Sequence, residues 1–203
     1  MLNGVRWMVL LALGCGASAS SAAAPAASAA EAAAAPEASS AEAAPAAPAA
    51  AAQAAAPESD ATYPTPYTAE QIRDATRPGR AYTWKLEQSG QPAIERTTTF
   101  ARVDSDGAEI VSGAATKRVT WEELRQHAAF PRAQVTTRDE TVTVPAGTYD
   151  CIVYVVNDAA AGEVSTFYFS KAMPGAPVLF FTEKSGVRLL TNTLIRYSAG
   201  TGG

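Results

Sequence analysis

Thr141-Val-Thr-Val-Pro-Ala-Gly-Thr-Tyr-Asp-Cys-Ile-Val-Tyr-Val-Val156 is the stretch that decides the fold. Two runs rich in β-branched and aromatic residues flank Pro145-Ala-Gly147, where Pro145 fixes φ near about −65° and Gly147 can take the positive φ of a tight reversal. The sequence therefore predicts a strand over Gln134–Val144, a short turn, and a strand over Tyr149–Val156. Further strands are expected downstream at Val164–Phe169, Val178–Thr182 and Val187–Tyr197. Upstream, Tyr82, Trp84 and Leu86 alternate with polar neighbours, Ser89-Gly-Gln-Pro92 turns the chain into Ile94–Val103, and Asp104-Ser-Asp-Gly107 turns it again into Ala108–Ser112. Successive strands joined by short turns pair antiparallel, because parallel pairing needs long crossovers.

Two helix starts carry a capping signature. In Thr68-Ala-Glu-Gln71 the threonine can cap while Gln71 reaches back, with Tyr67 and Ile72 as the staple pair, and Arg77-Pro-Gly79 stops the helix. Thr120-Trp-Glu-Glu123 repeats the pattern with Val119 and Leu124, and Pro131 limits that helix to about two and a half turns. The expected class is α+β: an antiparallel curved β-sheet of seven or eight strands, a half-barrel or closed meander, with two short helices. One β-rich globular domain is expected over residues 62–203.

The early strands alternate, but Cys151–Val156 and Val178–Phe181 are continuously apolar, which implies cover on both faces. Two short helices cover only part of such a sheet. Either the sheet curls until it packs on itself, which is the expected outcome, or an apolar cradle remains for a ligand or partner.

The N-terminus sets the address. Arg6 precedes Trp7-Met-Val-Leu-Leu-Ala-Leu13, seven apolar residues at the lower edge of a secretory core. As a helix they would be about 10 Å long against the ~30 Å hydrocarbon core of a bilayer, so they cannot span one. Ala12-Leu-Gly-Cys15 resembles a lipobox, with Ala12 where a leucine is usual, whereas Ala17-Ser-Ala19 offers an ordinary signal-peptidase site. Gly14 directly before Cys15 favours a signal peptide over residues 1–14 and lipidation at Cys15. Acyl chains there would hold the protein in the bacterial cell envelope, as an outer-membrane lipoprotein facing the periplasm. The competing cleavage would leave it soluble and periplasmic or secreted.

Residues 17–60 contain only Ala, Ser, Pro and Glu apart from Gln53 and Asp60, and prolines 25, 36, 45, 48 and 57 interrupt the alanines. Nothing there can bury enough apolar surface to offset the entropy of ordering it, so residues 15–61 are expected to form a disordered tether behind the lipidated cysteine. As a coil it would separate its ends by roughly 35 to 40 Å, and fully extended by about 140 Å. Its five acids carry no basic partner, whereas residues 61–203 balance fifteen acids with fifteen bases. A neutral domain argues against nucleic acid, whose footprint is a basic stripe.

Val-Pro-Ala-Gly-Thr-Tyr149 resembles a run in uncharacterised bacterial envelope lipoproteins, where it joins two strands of an antiparallel sheet. Phe167-Tyr-Phe-Ser-Lys171 and Pro174-Gly-Ala-Pro177 are similar to theirs in order and spacing. The resemblance covers roughly residues 66–197, and such domains are similar to the half-barrel lipoprotein-sorting carriers, whose curved sheet and helices enclose an acyl-chain cavity. It implies a non-catalytic domain that binds an apolar ligand, such as a lipid, or another envelope protein. A structural or protein-interaction module with a closed core and no ligand is the alternative. The residues themselves offer no acid, base or nucleophile within the motif, and the turn is read as structural.

No enzyme is expected, and no catalytic residue, metal or cofactor is assigned. His127 is the only histidine, so no His/Cys zinc spacing exists, and it is expected at a solvated position on the second helix. Cys151 reads as a small buried strand residue rather than a reactive thiol. Asp104, Asp106 and Glu109 around Gly107 lack EF-hand spacing and suit a hairpin turn. Glu122 and Glu123 are acids at a helix start, favoured by its dipole. No phosphate-cradling glycine loop, Gly-x-Ser-x-Gly elbow or His-Glu-x-x-His occurs.

Overall fold

A computed structural model describes residues 61–201. The signal segment, Cys15 and the tether up to residue 60 lie outside the described residues. Nine strands make up a single antiparallel sheet: β1 (Ala81–Gln88), β2 (Ile94–Val103), β3 (Gly107–Ser112), β4 (Ala115–Thr120), β5 (Val135–Val144), β6 (Gly147–Asp158), β7 (Glu163–Ser170), β8 (Leu179–Lys184) and β9 (Val187–Ser198). The helices are α1 (Ala69–Ala75) and α2 (Trp121–Gln126), with a 3-10 turn at Arg132–Gln134. The class is α+β, as read.

Spatial order is β4-β3-β2-β1-β9-β8-β7-β6-β5, an open sheet made of two meanders joined where the first strand pairs with the last. That order forces curvature. Residues 121–134 must carry the chain from one edge of the sheet to the other, and with this much helix they reach about 32 Å at most, whereas eight strand spacings of a flat sheet measure ~38 Å. A second closure lies at the tip of the β5–β6 hairpin, where the Ala146 N–H donates to the Leu194 carbonyl of β9 at 3.4 Å. In a flat sheet β6 and β9 would stand ~14 Å apart. The half-barrel geometry follows from these two connections, helped by bulges in the β1–β9, β2–β3 and β8–β9 pairings.

The expected capping boxes are both present. Thr68 accepts from the Gln71 N–H at 3.2 Å while Gln71 Oε1 accepts from the Thr68 N–H at 2.9 Å, and Thr120 and Glu123 exchange the same pair of bonds at 3.1 and 2.7 Å. Both helices are shorter than their stop signals suggest: α1 ends at Ala75, and α2 spans six residues. Strand β4 escapes the sequence reading because Ala115-Thr-Lys-Arg-Val-Thr120 buries only Val119 and so shows no alternation. The turn at Pro145-Ala146 is as read, with Gly147 at φ 141° and the Tyr149 hydroxyl donating to the Ala146 carbonyl at 3.2 Å.

Helices α1 and α2 pack against each other and over one face of the sheet. Registers place Tyr82, Trp84, Leu86, Thr98, Phe100, Ile110, Phe180, Phe167 and Phe169 on that face, where Phe130, Phe167, Phe169 and Phe180 form a stacked aromatic row with centroids 5.1 to 6.2 Å apart. Cys151 and Val153 point to the opposite face and are also fully covered. The prediction that β6 is enclosed on both sides holds.

Candidate functional site

Between the helices and the sheet the core does not close completely. A cavity of about 140 Å³ remains, walled by Ile72 of α1 and its C-cap Thr76, Leu124 of α2 with His127 and Ala128 just after it, Arg80, residues of β1, β2 (Arg96 among them), β3, β7, β8 and β9, and the loop Gly175-Ala-Pro177. The expected closed interior is therefore corrected: nine strands present more apolar face than helices of seven and six residues can fill. The gap lies over Trp84, Phe100, Ile110, Phe169 and Phe180, so its wall is chiefly aliphatic and aromatic.

One end is sealed and the other opens. Arg80 and Tyr82 are 1% and 2% exposed, Trp84 and Leu86 are half-buried, and Ile94, paired with Leu86 across β1–β2, is 44% exposed. These residues share a face through the two-residue period of a strand. Tyr82 to Leu86 covers ~13 Å at the usual rise. The result is a track of apolar side chains running from a buried floor toward a more exposed rim, flanked there by Arg96 and Asn192.

The floor is polar. The Arg80 guanidinium donates to the Thr76 hydroxyl at 3.0 Å and to the Pro174 carbonyl at 2.8 Å, and lies 5.1 Å from the Tyr82 ring centre and 5.7 Å from that of Tyr197. No carboxylate pairs with it among the described residues. Arg80 Nε, the Tyr82 hydroxyl and Trp84 Nε1 are buried without a hydrogen-bond partner. Desolvation pushes the Tyr82 phenol well above its ordinary range, so it remains a neutral hydroxyl.

His127 is displaced from its expected place. It is the C-cap of α2 rather than a solvated helix residue, half-buried in the cavity wall, where desolvation foremost and then Lys117 hold its imidazole below the ordinary range against the opposing pull of Glu123. The signal for this was available: Leu124, His127 and Ala128 follow i, i+3, i+4 spacing and share a helix face.

Cys151 is 1% exposed, as expected, and burial foremost, then Asp150 and Glu140, pushes its thiol up to about 11. It borders a second, more open recess with Asp139, Glu140, Thr141, Asp150 and Lys171, in which Lys171 pairs with Asp139 at 3.0 Å. A thiol held protonated among acids is a poor nucleophile. Asp104 serves its turn, accepting from the Asp106 and Gly107 N–H groups at 3.0 and 3.1 Å and from Arg118. No helix among the described residues is long and apolar enough to cross a membrane.

The chain matches no protein-family model and no curated protein. Solved structures similar to it include a MucA/MucB complex of Pseudomonas aeruginosa, at 12% identity and a TM-score of 0.41, covering 64% of this chain and 54% of the matched one. A candidate exported protein with a YmcC-like fold from Bacteroides fragilis gives 10% identity and 0.36, covering 61% and 97%. A candidate lipoprotein from Parabacteroides distasonis gives 11% and 0.38, covering 68% and 100%. The chain thus spans about half the length of the matched chain in the MucA/MucB complex. Each is a partial likeness of fold.

Proposed function

We propose that this protein is a non-catalytic lipoprotein of the bacterial cell envelope whose domain holds an apolar ligand in the cavity between its helices and its sheet. The observation that carries the reading is the cavity itself: an unfilled space of about 140 Å³ walled chiefly by apolar side chains, among them the half-buried Trp84 and Leu86. Packed cores rarely leave such a space, and an apolar one binds apolar guests. Its wall contains one histidine and no carboxylate, so a proton-transfer pair is not assembled there. The anchor would be Cys15, with the Ala- and Pro-rich tether giving the domain reach from the membrane surface.

Two measurements test this. The chain exported behind an ordinary cleavable signal and purified without detergent should release one apolar molecule per protein on organic extraction, detected by mass spectrometry; an empty extract counts against the ligand. In the native chain the mature N-terminus should be an acylated Cys15, lost in Cys15→Ser. An unmodified chain beginning at Ser20 refutes the anchor.

A further inference from the structure

We propose that the ligand is a single-chain amphiphile with a carboxylate head, the carboxylate lying against Arg80 at the sealed floor and the chain running out past Trp84 and Leu86 toward Ile94. This rests on the cavity being a ligand site and names the class of molecule it takes.

Charge at the floor is the first argument. A guanidinium taken out of water without an anion is among the least favourable arrangements in a protein interior, and the Thr76 hydroxyl, the Pro174 carbonyl and two aromatic rings solvate it without neutralising it. One buried positive charge matches one negative charge. A carboxylate meets that condition, and a planar guanidinium with N–H groups to spare is the side chain best shaped to receive it.

Unused donors are the second. Arg80 Nε, the Tyr82 hydroxyl and Trp84 Nε1 have no partner, although buried polar groups in native proteins are almost always paired. All three residues line the same cavity on consecutive same-face positions of one chain segment. Arg80 Nε and Trp84 Nε1 can only donate and the Tyr82 hydroxyl can donate as well as accept, so a head with several acceptor positions suits this set. A neutral lipid alcohol can accept from these groups but leaves the charge of Arg80 unmatched, and an ammonium offers no acceptor.

Polarity along the track is the third. A charge without a carboxylate partner sits where exposure is 1%, and from it Tyr82, Trp84 and Leu86 continue toward the more exposed side of the cavity, where the half-buried Arg96 and Asn192 flank them. An amphiphile bound head inward satisfies both ends, whereas the reverse would place an apolar tail against an unpaired cation.

The test is a calorimetric titration of the chain from residue 16 onward, which carries no acyl group of its own, with laurate and with dodecanol. Laurate should bind at least about tenfold more tightly than dodecanol, a gap of ~1.4 kcal/mol. Arg80→Gln should bring the ratio close to one while dodecanol binding persists, and Arg80→Lys should restore part of it. Because Arg80 also ties Thr76 to Pro174, Tyr82→Phe gives a second reading: the ring stays, and laurate alone should weaken, by about threefold. Equal affinities for laurate and dodecanol in the native chain, or unchanged laurate affinity in a folded Arg80→Gln chain, overturn the carboxylate assignment and leave the cavity reading standing. Binding of neither overturns both.

Discussion

Arg80 donates a hydrogen bond of 2.8 Å to the Pro174 carbonyl and so fastens the loop before β8 to the start of β1. The next residue, Gly175, takes φ 138°, and a Cβ there would stand 2.9 Å from the Tyr82 hydroxyl and 3.6 Å from Arg80 Nη2. The floor of the cavity is closed by backbone that only glycine fits.

Gly175→Ala is therefore expected to cost about 1 to 3 kcal/mol, from the unfavourable φ together with the crowded Tyr82 hydroxyl. Chemical denaturation against the native chain measures it. An unchanged midpoint would mean that the loop is not held against Arg80.

His127 makes stability depend on pH near neutrality. Its folded-state pKa lies below the ordinary value of 6.5, so the unfolded chain binds its proton more readily and stability rises with pH across the interval between the two. Above the ordinary value the contribution is complete; as pH falls through it toward the depressed value, stability is lost, and lower still the loss is constant. Melting temperatures of the native chain should drop across this window, and those of His127→Gln should stay flatter. Glu123 and Asp104, held below the usual carboxylate range by Thr120 and by Arg118, act only in a more acidic window. A native chain no more acid-sensitive than His127→Gln near neutrality contradicts the placement.

Cys151→Ala should cost ~1 kcal/mol and leave ligand binding intact, as expected for a small buried side chain on the sheet face away from the cavity. Alkylation of the native thiol should be slow at neutral pH, consistent with a thiol pushed up to about 11. Rapid labelling with loss of binding would require another account of this residue.

Most of the sheet was legible because its strands obey the two-residue period or are continuously apolar, and the turns between them carry Gly, Pro or Asp. Strand β4 was not, since Thr116, Lys117 and Arg118 lie exposed at a sheet edge and only Val119 reaches the core. Arg80 is the main omission at the site. A lone arginine after Pro78-Gly79 reads as surface, yet it continues Tyr82, Trp84 and Leu86 by one step on the same face, and that phase is the signal that could have found it. The cavity itself has no sequence signature, because whether two short helices fill a curved sheet depends on the curvature, which the crossing from β4 to β5 sets in three dimensions.

The cavity is tested most directly by titrating the chain from residue 16 onward with 1-aminoanthracene, a neutral apolar fluorophore. The account predicts a saturable rise in emission at one probe per chain, abolished by Ala128→Phe, whose ring would fill the cavity from the turn after α2, with circular dichroism checking that the variant folds. Unaltered emission at high concentrations of folded native protein would contradict it, and the domain would then be a closed structural module.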